Sequence, residues 1–401
     1  MKTHKNNVLN IALLIPHLQS GGAERVTALL SKILFLNGHS VKILLFDNEN
    51  ISYKTYGDLI NMNLKSSKSL FLKVFIRLFR IVKLSLIKKK YNIDYVISFL
   101  YAANVVNYYS VGKSKKILTI RGYKEYEKYG KLYVRFLNKI DKLIVQTDRL
   151  KNDIVRDHNL PEKLSRKIKV ISNPFDLQQI NIKSKLPLDV NTSKKLQTKN
   201  IKMCVMGAFK AEKGFDHVVR VFNNLRNYYN NISLIFIGHR GDLEKEISNL
   251  AKESEFYNDI IFLGYQSNPY NILSNCDFFI LPSISEGFPN SLLEAMACGL
   301  PVISTNCPTG PLEILNEGDP IKINSNGYFL AKYGILINTF NVVSDFTMNR
   351  KLSGTEIDLF KAIEFLILNQ DIRNSLKNLS LSRARNFDLN IFYSKFTSVL
   401  E

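Results

Sequence analysis

Seven residues separate Glu286 from Glu294, and the stretch that holds them changes character along its length. An apolar run ends at Pro282, a loop carrying Gly287 follows, and a helical pattern runs from about Asn290 to Cys298 before Gly299 stops it. The N–H groups at such a helix start favour a phosphate or a carboxylate. Two carboxylates beside them suit hydrogen bonds to vicinal hydroxyls, as on a ribose or a hexose. The same pair also reads as a loop charge and a solvated helix residue, and spacing alone leaves both readings open.

These residues need a scaffold, and the sequence outlines one. Val8–Ile15 is an apolar run of strand length, Gln19-Ser20-Gly21-Gly22 is a loop, and Ala23 to Asn37 carries apolar residues at helical spacing until Gly38. Val41–Phe46, Tyr95–Phe99, Ile117–Ile120 and Leu143–Gln146 read as further strands. A second series follows at Met203–Met206, Leu234–Ile237, Ile260–Leu263, Phe278–Leu281 and Val302–Ser304. Strands alternating with helices predict parallel α/β sheets. The polar stretch from Asn181 to Asn200 reads as a linker, which predicts two Rossmann-like domains, 1–190 and 191–380, facing across a cleft. Three helical stretches follow Gly354, and the segment 381–401 is expected to pack back on the first domain.

The charge is divided as unevenly as the chemistry. Of 401 residues, 55 are Lys or Arg and 35 Asp or Glu, a net of +20. Residues 1–190 hold 34 of the bases and 14 of the acids, so the whole excess lies in the first half. That asymmetry points to an anionic partner for the first domain. Between Asn63 and Tyr91 there are nine bases and no acid, interleaved with Phe, Leu and Ile. Lys73, Arg77 and Arg80 recur at helical spacing, which predicts a cationic stripe on a helix lying in an anionic membrane surface, or a solvated face of an ordinary helix. Tyr123 to Lys142 mixes aromatic and basic residues in a way that suits the headgroup zone. Cys204, Cys276, Cys298 and Cys307 form no C-x-x-C pair and read as buried, reduced thiols. The N-terminal apolar run is too short for a signal or a membrane span, so a cytoplasmic location on the inner face of the membrane is expected.

The run Glu-Gly-Phe-Pro-Asn-Ser-Leu-Leu-Glu-Ala-Met-Ala-Cys-Gly-Leu-Pro-Val-Ile resembles the signature of the retaining, nucleotide-sugar-dependent glycosyltransferases with the GT-B fold, family 4. Gly21-Gly22-Ala23-Glu24-Arg25-Val26, Val170-Ile171-Ser172-Asn173-Pro174 and Glu212-Lys213-Gly214-Phe215 match in the same order, so the resemblance covers most of the chain. Asn306 to Leu315 and Tyr333-Gly334-Ile335-Leu336 resemble the branch that builds bacterial surface polysaccharides.

The resemblance implies a division of labour. Glu286 would bond a hydroxyl of the donor sugar and stabilise positive charge on its ring, and Lys213 would neutralise the diphosphate. Glu294 would take the ribose hydroxyls. Backbone amides of Phe288 and Asn290 would hold sugar or phosphate, with Asn173, Gly207 and Ser291 also on the donor side. Gly21 and Gly22 would present the first helix to the diphosphate or the acceptor. The sequence departs from the family pattern twice. Gly207-Ala208-Phe209 lacks the arginine expected after the first strand of the second domain, leaving Lys210 or Arg240 as substitutes. Arg121 stands where a histidine is usual, a fixed cation for a phosphate that cannot act as a base, or simply one more basic surface residue. His17 and His239 read as structural or outer residues of the site.

Retention implies that the leaving diphosphate takes the acceptor proton. No Asp-x-Asp motif occurs, so the expectation is a nucleotide-sugar co-substrate, usually UDP-linked, with no metal or other cofactor, and a lipid-linked saccharide acceptor. Nucleic acid is not expected as a partner, because no recognition motif accompanies the charge. A dinucleotide oxidoreductase would need a G-x-G-x-x-G after the first strand, which is absent. A sugar-nucleotide epimerase of the same fold, or a basic binding protein without catalysis, remain as alternatives.

Overall fold

A computed structural model describes residues 8–19, 21–47, 51–197, 201–341 and 344–401. The chain forms two compact units. Unit 1 comprises Met1–Phe175 with Phe387–Glu401, and unit 2 comprises Asp176–Asn386.

Unit 1 is built on seven strands, β1 (Asn10–Ile15), β2 (Ser40–Leu45), β3 (Asp58–Asn61), β4 (Tyr95–Phe99), β5 (Lys115–Thr119), β6 (Lys142–Val145) and β7 (Ile168–Val170). They lie in the order β3-β2-β1-β4-β5-β6-β7, all parallel. The helices are α1 (Gly22–Leu36), α2 (Leu70–Lys90), α3 (Leu100–Tyr109), α4 (Tyr123–Phe136), α5 (Asp148–Asp157) and α6 (Glu162–Ser165). Val26, Leu30, Ile33 and Leu34 recur on one face of α1 and pack on β1 and β2. Gly38, at a φ of 84°, then turns the chain into β2, as its position after the helix predicts.

Unit 2 repeats the plan. Two helices, α7 (Leu177–Ser184) and α8 (Val190–Leu196), precede β8 (Ile201–Met206), α9 (Phe215–Arg226), β9 (Ile232–Ile237), α10 (Glu244–Lys252), β10 (Ile260–Phe262), α11 (Tyr270–Leu273) and β11 (Phe278–Leu281). There follow α12 (Asn290–Ala297), β12 (Val302–Thr305), α13 (Pro311–Asn316), β13 (Tyr328–Ala331), β14 (Gly334–Ile337), α14 (Gly354–Leu368) and α15 (Gln370–Arg385). The strand order is β10-β9-β8-β11-β12-β14-β13, parallel except for the β13–β14 hairpin. A buried ion cluster ties α9 to α14: Arg220 bonds Asp216 at 2.8 Å and Glu356 at 2.9 Å, and His217 bonds Glu356 at 2.8 Å.

The helix α16 (Leu389–Leu400) belongs to unit 1, where Leu389, Phe392, Phe396 and Val399 join the α1 core. Phe175 N donates to Phe387 O at 3.0 Å, so the chain leaves and re-enters unit 1 at adjacent points. The contact boundaries fall at 175/176 and 386/387, whereas composition placed them at 190 and 380.

Composition misreads the polar stretch from Asn181. Most of it is helical, because Asp176 and Asp189 cap α7 and α8 by accepting from Gln179 N and Thr192 N. Asn268, Asn271 and Ser274 then bond the carbonyls of Lys183, Pro187 and Ser184, which binds the stretch to unit 2. Residues 198–200 of the expected linker, residues 1–7, and Ser20 of the glycine loop lie outside the described residues.

Both membrane readings of the sequence need correction at the level of side chains. Arg80 is not on a surface stripe: it is buried, bonds Leu64 O through Nε at 3.0 Å, and stacks 3.9 Å from the Phe46 ring. Lys83 and Lys88 likewise turn inward to Met62 O and Ser110 Oγ. Burial, and then the nearby Lys116, push the Lys88 ammonium down to about 8. These cations satisfy carbonyls just after the edge strand β3 and a hydroxyl at the end of α3, a use that helical spacing alone does not reveal. On α4, Tyr126, Tyr133 and Phe136 are core residues, with Tyr126 OH donating to Asp157 at 2.8 Å, so the segment from Tyr123 does not offer its aromatic side to a headgroup layer. No helix among the described residues is long and apolar enough to cross a membrane.

Candidate functional site

In unit 2, β8 and β11 are neighbours, yet the chain from β8 goes on to β9 on one side and that from β11 to β12 on the other. The loops after these two strands therefore diverge and leave a crevice at the carboxyl ends, the place where open α/β sheets bind ligands. Lys213 lies on the loop after β8 and Glu286 on the loop after β11. Lys213 Nζ donates to Glu286 Oε1 at 2.5 Å, and Ser283 Oγ donates to the same oxygen at 2.7 Å. Both side chains are mostly buried. Burial alone would lower the Lys213 ammonium, but the Glu286 carboxylate outweighs it and the net shift is upward. Lys213 is therefore a fixed cation.

The loops are shaped for this meeting. Gly214 adopts a φ of 61°, and a Cβ there would strike the carbonyl oxygen of Pro282. Ile284 N bonds Glu212 O at 2.8 Å, lacing the two loops together. The aliphatic stem of Lys213 runs beside Gly207, where a Cβ would lie 3.7 Å from Lys213 Cε. Thr309 Oγ1 donates to Glu286 O at 2.7 Å, and Gly310, at a φ of 100°, leaves just enough room for the Pro289 ring. Phe288 is buried beneath that turn, and α12 opens immediately after it at Asn290 and Ser291. Glu294, one turn into α12, is 5% exposed and accepts from Tyr270 OH at 3.3 Å. A carboxylate, a cation and a helix start thus converge on one crevice, enough to take a hydroxylated ring and an anion side by side.

The substitutes proposed for the missing arginine are both exposed, on turns joined by the bond from Phe209 N to Arg240 O at 2.8 Å. His239 packs its ring 5.1 Å from Tyr265. The four thiols are free, with Cys204 and Cys307 buried and the other two half-buried. Cys307 lies beneath the site and is pushed up to about 12 by burial and then by Glu286. Sequence reasoning did not single out Ser283, Thr309 or Tyr270. Ser283 lies just before the recognised signature and Thr309 in the stretch after it, neither standing out by type, and Tyr270 carries no signal at all.

The remaining candidates lie in unit 1. Gly21 and Gly22 open α1 at the equivalent switch between β1 and β4, and the Glu24 carboxylate folds back over Gly21. His17 pairs with Glu24 at 3.2 Å, and the hydrogen bond to Glu24 raises its imidazole despite burial. Arg121 follows β5 and donates to Asn173 Oδ1, which Gln146 Nε2 also reaches at 2.7 Å. Burial lowers the Arg121 guanidinium to about 10. Arg121 and Asn173 are thus brought together inside unit 1, and Lys213, Gly207, Glu286, Phe288, Asn290, Ser291 and Glu294 inside unit 2. Among the described residues, no group of three or more His, Cys, Asp or Glu is placed to hold a metal ion.

Residues 190–335 match the family of glycosyl transferases group 1, and residues 20–179 match glycosyltransferase family 4. An uncharacterized glycosyltransferase of Methanocaldococcus jannaschii is 30% identical over 302 residues, covering 74% of this chain and 70% of the relative. The chain is a family 4 glycosyltransferase. A second relative of the glycosyltransferase, 25% identical over 94% of this chain and 95% of its own, is an N-acetylgalactosamine-N,N'-diacetylbacillosaminyl-diphospho-undecaprenol 4-alpha-N-acetylgalactosaminyltransferase of Campylobacter jejuni. Among solved structures, a glycosyltransferase from Rickettsia africae superposes with a TM-score of 0.73 at 20% identity, covering 99% of this chain and 100% of that one. Anabaena HepE, in complex with UDP and glucose, gives 0.74 at 16% identity over 98% and 99%. The glycosyltransferase thus has the GT-B fold, two Rossmann-like units with C-terminal helices.

Proposed function

We propose that this glycosyltransferase moves a sugar, with retention, from a UDP-linked donor to a lipid-linked saccharide in the synthesis of a surface polysaccharide, at the inner face of an anionic membrane. The observation that carries the reading is the Lys213–Glu286 pair at the switch point of unit 2, one loop away from the start of α12. The relatives support the pathway. The Campylobacter enzyme is named for an undecaprenol diphosphate acceptor, and two Staphylococcus aureus relatives are named for capsular polysaccharide biosynthesis. The UDP in HepE supports the choice of nucleotide.

On this reading the donor diphosphate lies against the α12 start and Lys213, and Glu294 takes the ribose hydroxyls. Glu286 holds a hydroxyl of the donor sugar and opposes the positive charge that grows on its ring as the bond from C1 to the diphosphate breaks. The acceptor oxygen bonds to C1 on the same face, and its proton passes to the departing diphosphate. The positive charge that stabilises that diphosphate comes from Lys213 and the helix start, so turnover proceeds without a divalent cation.

The test is UDP release from a panel of UDP-sugars in the presence of membrane extract, with the anomer of the product read by NMR. Release should survive EDTA and vanish in Glu286→Ala. Manganese-dependent turnover or an inverted product would overturn the corresponding part of the reading.

A further inference from the structure

The apolar side of α2 is turned out of the protein. Phe71, Phe75 and Phe79 are 77%, 50% and 61% exposed, and Leu72, Leu78 and Val82 are more than half exposed beside them. With 100° per residue, these positions fall on one broad face that carries no charge from Phe71 to Leu86, about 22 Å along the axis. The opposite face is the one that Leu84 and Ile87 bury in unit 1, and Arg80, Lys83 and Lys88 are spent on bonds there. Of the stripe that helical spacing predicts, Lys73 and Arg77 are exposed and Arg80 is buried, while the apolar side faces outward.

Six exposed cations lie about the face: Lys65 and Lys68 just before the helix, Lys89 and Lys90 at its end, and Lys73 and Arg77 on the side of the helix away from it. No acid occurs anywhere between Asn63 and Tyr91. An apolar face bracketed and backed by charge of a single sign disfavours pairing with a second copy of itself and complements a layer that is apolar within and anionic above. We infer that the outward face of α2 lies in the boundary between headgroups and acyl chains of an anionic bilayer, with its phenylalanines below the phosphates and the cations that bracket it at their level. Attachment is therefore by insertion, with charge guiding the approach. The inference rests on the membrane location proposed above and is independent of the donor chemistry.

The chain contains no tryptophan, so Phe75→Trp introduces the sole indole. With vesicles of phosphatidylglycerol and phosphatidylcholine, its emission should shift to the blue and be quenched by lipids brominated in their acyl chains. Tyr228→Trp, at an exposed position in unit 2, should show neither effect. Phe75→Ser/Phe79→Ser should lower vesicle binding at high salt by roughly tenfold or more, because apolar area leaves the bilayer, with an unchanged melting temperature. If the parent chain does not float with anionic vesicles, the membrane location itself fails. If it floats while the Phe75→Trp indole stays in water, only the insertion fails. Dissociation of a lipid-independent dimer by Phe75→Ser/Phe79→Ser would assign the face to a second copy and also overturn the inference.

Discussion

Lys213 Nζ lies 2.5 Å from Glu286 Oε1 although 73 positions separate the two residues in the chain. The pair joins the loops of two adjacent strands that are not consecutive in sequence, and Ser283 shares the same carboxylate oxygen. Acting as one unit, the two side chains should show losses that do not add. Lys213→Ala and Glu286→Gln should each lower donor-dependent UDP release by about 10²- to 10³-fold, and the double variant should be little worse than the poorer single one. Additive losses in single-turnover kinetics would mean that the two act separately.

Glu294 differs in kind, since it is buried on α12 with Tyr270 as its partner. Its expected work is binding, so Glu294→Ala should raise the KM for the donor by about tenfold to a hundredfold, the worth of a hydrogen bond to a charged group, and leave kcat within a few-fold. Titration calorimetry with UDP checks this directly. Tyr270→Phe should move the same constants in the same direction by a smaller factor.

Gly310 is required by geometry. At a φ of 100°, with the Pro289 ring against it, it admits no side chain. Gly310→Ala should cost about 1 to 2 kcal/mol in stability from the backbone alone. By pushing the Phe288–Pro289 turn away from the Lys213–Glu286 pair, it should lower turnover by about a hundredfold. A variant that melts lower but keeps full activity would show that the turn plays no part in the site.

The Asp216–Arg220–Glu356 cluster should set the acid limit of the fold. Burial alone would raise the Glu356 carboxyl, but the bonds from His217 and Arg350 outweigh it and hold it well below 4.5. A group depressed in the folded state stabilises above its unfolded pKa and loses that contribution as pH falls through its folded one. The melting temperature should therefore be level near neutrality and decline below about pH 4.5. Glu356→Ala leaves Arg220 buried without this partner and should cost about 3 to 5 kcal/mol at neutral pH. A wild-type acid limb that persists unchanged in Glu356→Gln would assign that limb to other carboxylates.

The alternation of apolar runs is enough to place ten strands, because central parallel strands are buried on both faces. It misses β3, β7, β13 and β14, which are short or lie at a sheet edge: Asp58–Asn61 carries a charge and a polar end and buries little. The donor-side residues are legible because they cluster within one motif and one loop. Tyr270 is invisible because only tertiary folding brings it to Glu294. Arg80 shows the limit of periodicity most clearly. Helical spacing places it in line with Lys73 and Arg77, but α2 meets the body of the protein only in its second half, so identical residue types along one stripe end in solvent and in the interior.

Phe175 and Phe387 sit side by side, which makes unit 2 an insertion within unit 1. Translation runs in one direction, so Leu389, Phe392, Phe396 and Val399 emerge from the ribosome only after every residue from 176 to 386 has been made. The hydrophobic surface that α1 reserves for them must wait uncovered through that interval. The usual order, in which the N-terminal domain matures first during synthesis, is closed to this protein: unit 2 can be finished while unit 1 still awaits α16.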